Sequence, residues 1–223
     1  MHRPSVTARS TRSRAERRQI SDRRMIVAAM GLIAEKGVAR TTLADVGVAA
    51  GYSRGLPVER FGSKLGLLNA MIDSADAWFA EQAPMQVRDL RGLAAVRARI
   101  AAHVEGGLKS PVGARFVHYL YVDAAFGVTE LRPRMQALMR TFAAGFQNHL
   151  EEARDAGEIA PDADCEKLAA VIVAMVRGVF VEWVLTEGAT DLRALSPLMQ
   201  EMATAAIARA GGGSAPCKEA PPP

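Results

Sequence analysis

TLADVGVAAGYSRGLPV, residues 42–58, places a short apolar-faced segment, a glycine and a second short segment in close succession. Leu43, Val46 and Ala50 recur at helical spacing along one face, and Thr41 or Thr42 supplies the oxygen that caps the first turn. Gly51 closes this helix, because only glycine takes the left-handed backbone of such an ending at no steric cost. Ser53 is expected to cap the next short helix, which runs through Pro57 into Phe61. The pattern is a helix-turn-helix whose second helix begins with Ser53, Arg54, Gly55, Leu56 and Pro57. Small or polar residues there let a helix start enter a DNA major groove, where bulky ones would hold the backbone off its floor.

Outward from this stretch the helical pattern continues. Upstream, Ile26, Met30 and Ile33 fall on one face and Gly37 stands where a helix stops. Downstream, Ser63 caps a long helix with Leu65, Leu68, Ile72, Ala75 and Phe79 along one side. Residues 21–68 are therefore read as one small helical module, with Gly47 weakening its second helix by up to about 1 kcal/mol relative to alanine.

The first 24 residues hold eight arginines against Glu16 and Asp22, a local charge of +6 in a chain whose total is +4, so the remainder carries −2. Residues 1–20 are read as a basic arm, with Arg14, Arg17 and Arg18 laid along a polyanion: each cation placed on a phosphate releases counterions. No apolar core of a signal peptide lies in this arm. Cys165 and Cys217 stand far apart and imply no disulfide framework, which fits a reducing cytoplasm.

Residues 69–210 form a larger helical body, and residues 211–223 (GGGSAPCKEAPPP) a flexible tail. Within the body, Leu93, Val96, Ile100 and Val104 make one stripe, Val117, Leu120 and Ala124 a second, and Leu131, Met135, Leu138, Phe142 and Phe146 a third. A last helix is expected from Ser196 and Pro197. Leu168 to Leu185 is apolar enough to suggest a membrane span, yet Arg177 and Glu182 sit inside it, and charges at bilayer depth cost roughly 2.5 to 3.5 kcal/mol each. A helix covered by protein on two sides is the reading, with no membrane partner. The fold class is all-α with about nine helices: a three-helix N-terminal helix-turn-helix DNA-binding module and a larger C-terminal helical domain.

Enzyme signatures are absent. No glycine-rich phosphate loop, serine elbow or zinc-spaced cysteine pair occurs, and His2, His103, His118 and His149 never fall four apart. Neither a metal nor a cofactor is expected. An architectural DNA-coating protein, or a ligand-sequestering body without operator function, remains an alternative.

From Arg24 to Met71 the sequence resembles the N-terminal domain of the TetR family of transcriptional regulators. Ile26, Ala28, Ala29, Leu32, Ala34, Glu35, Gly37, Thr41, Thr42, Val46, Ala50, Gly51, Ser53, Gly55, Phe61, Ser63, Lys64, Leu67 and Leu68 carry the resemblance in one unbroken frame. It implies a homodimer gripping a palindromic duplex operator, most simply as a repressor released by an unidentified small-molecule effector. Thr41, Thr42 and Lys64 are then phosphate contacts, and Arg54 is the candidate reader of guanine. The chain departs from the family at Gly47, where alanine is common, and at Glu59 and Arg60, where aromatic residues or histidine are; Arg60 is taken as a replacement phosphate contact. The expected effector pocket involves Trp78, His103, Phe116, Tyr119, Asp123, Phe126, Phe142 and Phe146. The expected dimer interface involves Ile172, Met175, Val179, Trp183, Met199, Met202 and Ala206.

Overall fold

The computed structural model describes residues 13–211, with side chains described outside 78–86, 206 and 208–211. Among the described residues it is helical without strands, and the chain divides into two compact units, Met1–Ala70 and Met71–Pro223. The division falls two residues beyond the expected boundary at 68.

In the first unit, α1 spans Arg14–Arg40, α2 Leu43–Ala49 and α3 Leu56–Phe61, and α4 (Lys64–Gln86) begins there. Ser13 and Glu16 close a reciprocal capping box, Ser13 Oγ accepting from the Glu16 N–H and the Glu16 carboxylate from the Ser13 N–H. Helix therefore starts at Arg14, and the expected arm to residue 20 is corrected: Arg14, Arg17 and Arg18 lie on the exposed first turns of α1. Residues 1–12 lie outside the described ones. Gly37 breaks the helix as expected, at φ 78°. The buried stripe of α1 is Met25, Ala29 and Ile33; of the expected face Ile33 is buried, while Ile26 and Met30 lie at the edge of the stripe.

In the second unit, α4 continues and is followed by α5 (Gly92–Lys109), α6 (Pro111–Phe126), a 3-10 turn (Thr129–Leu131), α7 (Arg132–Asp155), α8 (Cys165–Leu185) and α9 (Leu192–Gly211). α5 packs on α7 and α9, and α8 on α6, α7 and α9. The core they enclose includes Val96, Ile100, Phe146, Leu150, Phe180 and Trp183, each large side chain contributing roughly 1.5–3 kcal/mol by leaving water. The α5 start has no cap of its own. Its free amides go to α7 and the turn beyond it instead: Gly92 N–H donates to Glu152 and Leu93 N–H to Glu158.

α8 is the apolar helix read from the sequence, capped by Asp164, whose Oδ1 accepts from the Lys167 N–H at 3.0 Å. Its Ile172, Val173, Val176, Phe180 and Trp183 are buried within the protomer's own core. The last helix begins four residues before Ser196, because Asp191 Oδ1 accepts from the Arg193 and Ala194 N–H groups and nucleates the turn there. Pro197 then stands inside α9 rather than at its start. The tail expected from residue 211 lies outside the described residues, apart from Gly211 itself, which ends α9.

Candidate functional site

The helix-turn-helix assembles from local chemistry. Thr42 and Asp45 form a second capping box, the Asp45 N–H donating to Thr42 Oγ1 at 3.1 Å and the Thr42 N–H to Asp45 Oδ2 at 3.3 Å. Lys36 Nζ donates to the same carboxylate at 2.9 Å, tying α2 to α1. That bond, followed by those from Thr42, holds the Asp45 carboxyl below its ordinary pKa. At the other end, Gly51 takes φ 80°, the Gly51 N–H donates to Val48 O and the Tyr52 N–H to Gly47 O at 2.8 Å. This paired ending reverses the chain and delivers it to α3.

The turn lies flat on α2 because residue 47 has no side chain. A Cβ there would overlap the Ser53 carbonyl oxygen and sit 3.1 Å from Pro57 Cδ. Pro57 is buried under that contact, so its expected DNA-facing role is corrected: it packs the second helix onto the first. The cap of α3 is Gly55, with no side-chain bond, not Ser53, whose carbonyl accepts from the Leu56 N–H at 3.3 Å. Ser53, Arg54 and Gly55 are exposed together, Leu56 is partly so, and Val58 and Glu59 continue the open face.

Four further phosphate candidates separate. Thr42 is exposed, and since its oxygen serves as the acceptor in the cap, its hydroxyl proton remains for another partner. Thr41 is corrected: it is buried, with Oγ1 donating to Gly37 O at 2.9 Å. Arg60 is corrected as well. Its guanidinium folds onto α1, 3.6 Å from Asp22 Oδ1 and donating to Ser21 Oγ at 3.2 Å, with only 16% of the side chain exposed. Lys64 donates one hydrogen bond to Ala39 O at 3.1 Å, beside the α1–α2 junction, and Ser63 Oγ accepts from the Gly66 N–H as the cap of α4.

The second unit holds a cavity of about 180 Å³ lined from α4, α5, α6, α7 and α8. Of the expected effector residues, His103 and Phe142 line it. Phe116 and Phe146 are buried in the core instead, Tyr119 and Phe126 are exposed on α6, and Asp123 stands in the last turn of α6 with its carbonyl accepting from the Gly127 and Val128 N–H groups. The Trp78 side chain lies outside the described residues. The sequence reading missed Arg99, His118, Tyr121, Met139 and Arg177, all of which line the cavity. A cation inside an apolar stripe was the available signal: Arg99 adjoins Ile100, and Arg177 centres the most apolar helix.

Burial pushes His103 down to about 3, assisted by the positive charges of His118, Arg99 and Arg177. Its ring is thus neutral, 4.8 Å from Phe142 and 5.0 Å from Phe180. Burial also lowers His118, whose Nδ1–H donates to Ala114 O at 2.8 Å and whose ring stacks on Phe180.

The expected dimer residues divide. Ile172, Trp183 and Met199 are buried in the protomer and are corrected as interface residues, Met175 and Val179 are half-buried, and Met202 is exposed. The Ala206 side chain lies outside the described residues. The outward face of α8 carries Val171, Ala174, Gly178 and Leu185 instead, with Leu198 and Met202 outward on α9.

Two family models match the chain, together spanning more than half of it. "Bacterial regulatory proteins, tetR family" covers residues 25–71, and "Tetracyclin repressor-like, C-terminal domain" covers residues 116–199. The transcriptional regulator TtgR of Pseudomonas putida is 26% identical over 181 residues, 79% of this chain and 86% of TtgR. SmeT in complex with triclosan, the repressor of the Stenotrophomonas maltophilia multidrug efflux pump SmeDEF, superposes with a TM-score of 0.71 at 25% identity, covering 92% of this chain and 100% of SmeT. FadR of Bacillus subtilis in complex with stearoyl-CoA shares the fold at a TM-score of 0.72 and 20% identity, covering 83% and 98%.

Proposed function

The chain belongs to the tetR family of bacterial regulatory proteins, DNA-binding transcriptional regulators and not enzymes, and from that membership we propose that it is a repressor. It binds a palindromic operator as a homodimer and leaves it when a small molecule occupies the body. The observation that carries this reading is the exposed Ser53–Arg54–Gly55 start of α3, held in place by the Gly51 ending and by the flush contact of Gly47 with the turn.

Thr42 and Lys64 contact phosphates on either side of α3, and Arg14, Arg17 and Arg18 on the open turns of α1 add salt-sensitive affinity. The dimer forms through the outward stripe of α8 and α9. An unpartnered apolar helix face of this kind is what a two-fold four-helix contact covers. SmeT, a repressor of this fold whose structure is a triclosan complex, supports small-molecule occupancy of the body here.

Release follows if the effector prefers the spacing of the two reading heads that misses successive major grooves, about 34–36 Å apart. α4 is one continuous helix across the division of the chain and carries Asp76 into the cavity wall, so it is the element through which occupancy is felt.

Arg54 is exposed and carries the base-reading role. Arg54→Ala should cost about 1–3 kcal/mol at one guanine-bearing operator position and little at variants lacking that guanine. A gel-shift series across operator variants measures this; equal weakening on every sequence would make Arg54 a backbone contact only.

A further inference from the structure

We propose that the cavity of the second unit takes a small apolar anion, a carboxylate on an aromatic body, with Arg99 and Arg177 as its charge partners. This rests on the reading of the body as the effector-binding module and names the chemistry of its ligand.

The cavity wall is apolar except at a few points, with Val117, Leu138, Phe142, Val173 and Val176 among its lining. Into it reach two guanidinium groups that, among the described residues, form no ion pair. Arg91, Arg134, Arg154 and Arg193 of the same unit find carboxylates; Arg97, Arg115 and Arg132 donate to a hydroxyl or to backbone carbonyls instead, and Arg99 and Arg177 are the unpaired ones that line the cavity. Arg99 lies 5.9 Å from the Phe142 ring centre and 5.3 Å from that of Phe146, and its Nε is buried without a hydrogen-bond acceptor. Its head rests where a side chain on Gly145 would stand. Arg177 lies 4.2 Å over the ring of Tyr121 and places Nη2 on the Met139 sulfur, a weak acceptor.

Arg99 and Arg177 are both partly buried, and taking a cation out of water without a partner of opposite charge is costly. Stacking on a ring covers the face of a guanidinium while leaving its N–H edge pointing outward in the plane. That edge is the fork that fits a carboxylate with two parallel hydrogen bonds.

One acid also lines the cavity, Asp76, but its carboxylate stands 3.9 Å from Arg134, which pairs with Asp73 too. The wall therefore keeps a positive surplus. Burial is the main cause of the lowered His103 value, with His118, Arg99 and Arg177 adding to it in that order, so the ring beside these cations is neutral. As to size, an engineered protein cavity of about 150 Å³ holds benzene, so about 180 Å³ suits a single substituted ring, with the neutral His103 and Phe142 as ring partners.

Calorimetric titration of the full-length, DNA-free protein with 4-ethylbenzoate, 4-ethylbenzamide and 4-ethylbenzylamine tests the charge preference directly. The benzoate should bind about tenfold or more tighter than the amide, and the amine weakest of the three. Arg99→Met and Arg177→Met should each weaken the benzoate about tenfold or more while leaving the amide within about threefold. Arg99→Lys and Arg177→Lys keep the charge and should fall between wild type and the Met variants, so the order holds even if one Met variant fails to fold.

Saturable binding of the amide as tight as that of the benzoate, or no benzoate binding, overturns the proposal. Amide binding alone would leave the body a ligand-binding module but not an anion site. A benzoate that binds by calorimetry yet leaves the protein on its selected DNA upholds the anion site and contradicts release by the effector.

Discussion

Gly47→Ala is expected to destabilise the DNA-reading unit by about 1–3 kcal/mol and to lower operator affinity with it, although alanine is the better helix former by about 1 kcal/mol. The two effects oppose each other, and geometry decides between them. The new Cβ would overlap the Ser53 carbonyl oxygen, a backbone atom that cannot swing aside as a side-chain tip can. The same carbonyl accepts the Leu56 N–H that opens α3. Relief of the overlap must therefore move Ser53, Arg54 and Gly55, the surface proposed to meet the groove. Denaturant unfolding and gel shift on the same preparations should show both losses together. A more stable variant with undiminished DNA binding would mean that the turn does not rest on α2 as described.

Gly178→Lys should have the opposite character, sparing the protomer and breaking the proposed dimer. Gly178 is exposed, and a Cβ there meets nothing within 4 Å. Within α8 the substitution removes a glycine, which favours helix by about 1 kcal/mol. In a two-fold contact between outward α8 faces it places two bulky cations in an apolar seam, where each buried unpaired charge costs several kcal/mol. Linkage of two reading heads strengthens binding by roughly 10²–10⁴ over either head alone. Loss of the pair should therefore cost at least about a hundredfold in operator affinity, with helical circular dichroism retained. Light scattering gives the outcome: a single-chain mass for the variant and twice that mass for the parent. An unchanged two-chain mass would move the interface away from this face of α8.

Helix positions and the helix-turn-helix were legible in the sequence because they rest on short-range chemistry. Gly37, Gly51, Thr42 and Ser63 act within four residues of themselves, and each stands where the spacing placed it. Facing was harder. Thr41 and Thr42 are both hydroxyls one residue apart, and only the bond of Thr41 to the Gly37 carbonyl sends one inward and leaves the other exposed. Arg60 looked like a phosphate contact until Asp22 and Ser21, some 38 to 39 residues earlier, claimed it.

α8 shows the same limit from the apolar side. With hydrophobic residues around nearly its whole circumference, the period cannot say which stripe faces the core, and Ile172, Val179 and Trp183 were expected on an outward face that Val171, Gly178 and Leu185 occupy. The cavity was legible at two of its residues only. His103 and Phe142 were found through their side-chain type, whereas Arg177 counted only as an argument against a membrane span and Arg99, between apolar neighbours of α5, drew no reading. Their significance needs the other helices in place: five of them converge on the cavity that both arginines line.

Selection of bound fragments from random duplex DNA by the purified full-length protein tests the operator reading most directly. The expected product is one inverted repeat, bound saturably, whose half-sites lie a whole number of helical turns apart, multiples of about 10–10.5 base pairs. Recovery of unrelated sequences with an affinity governed by salt alone would contradict it.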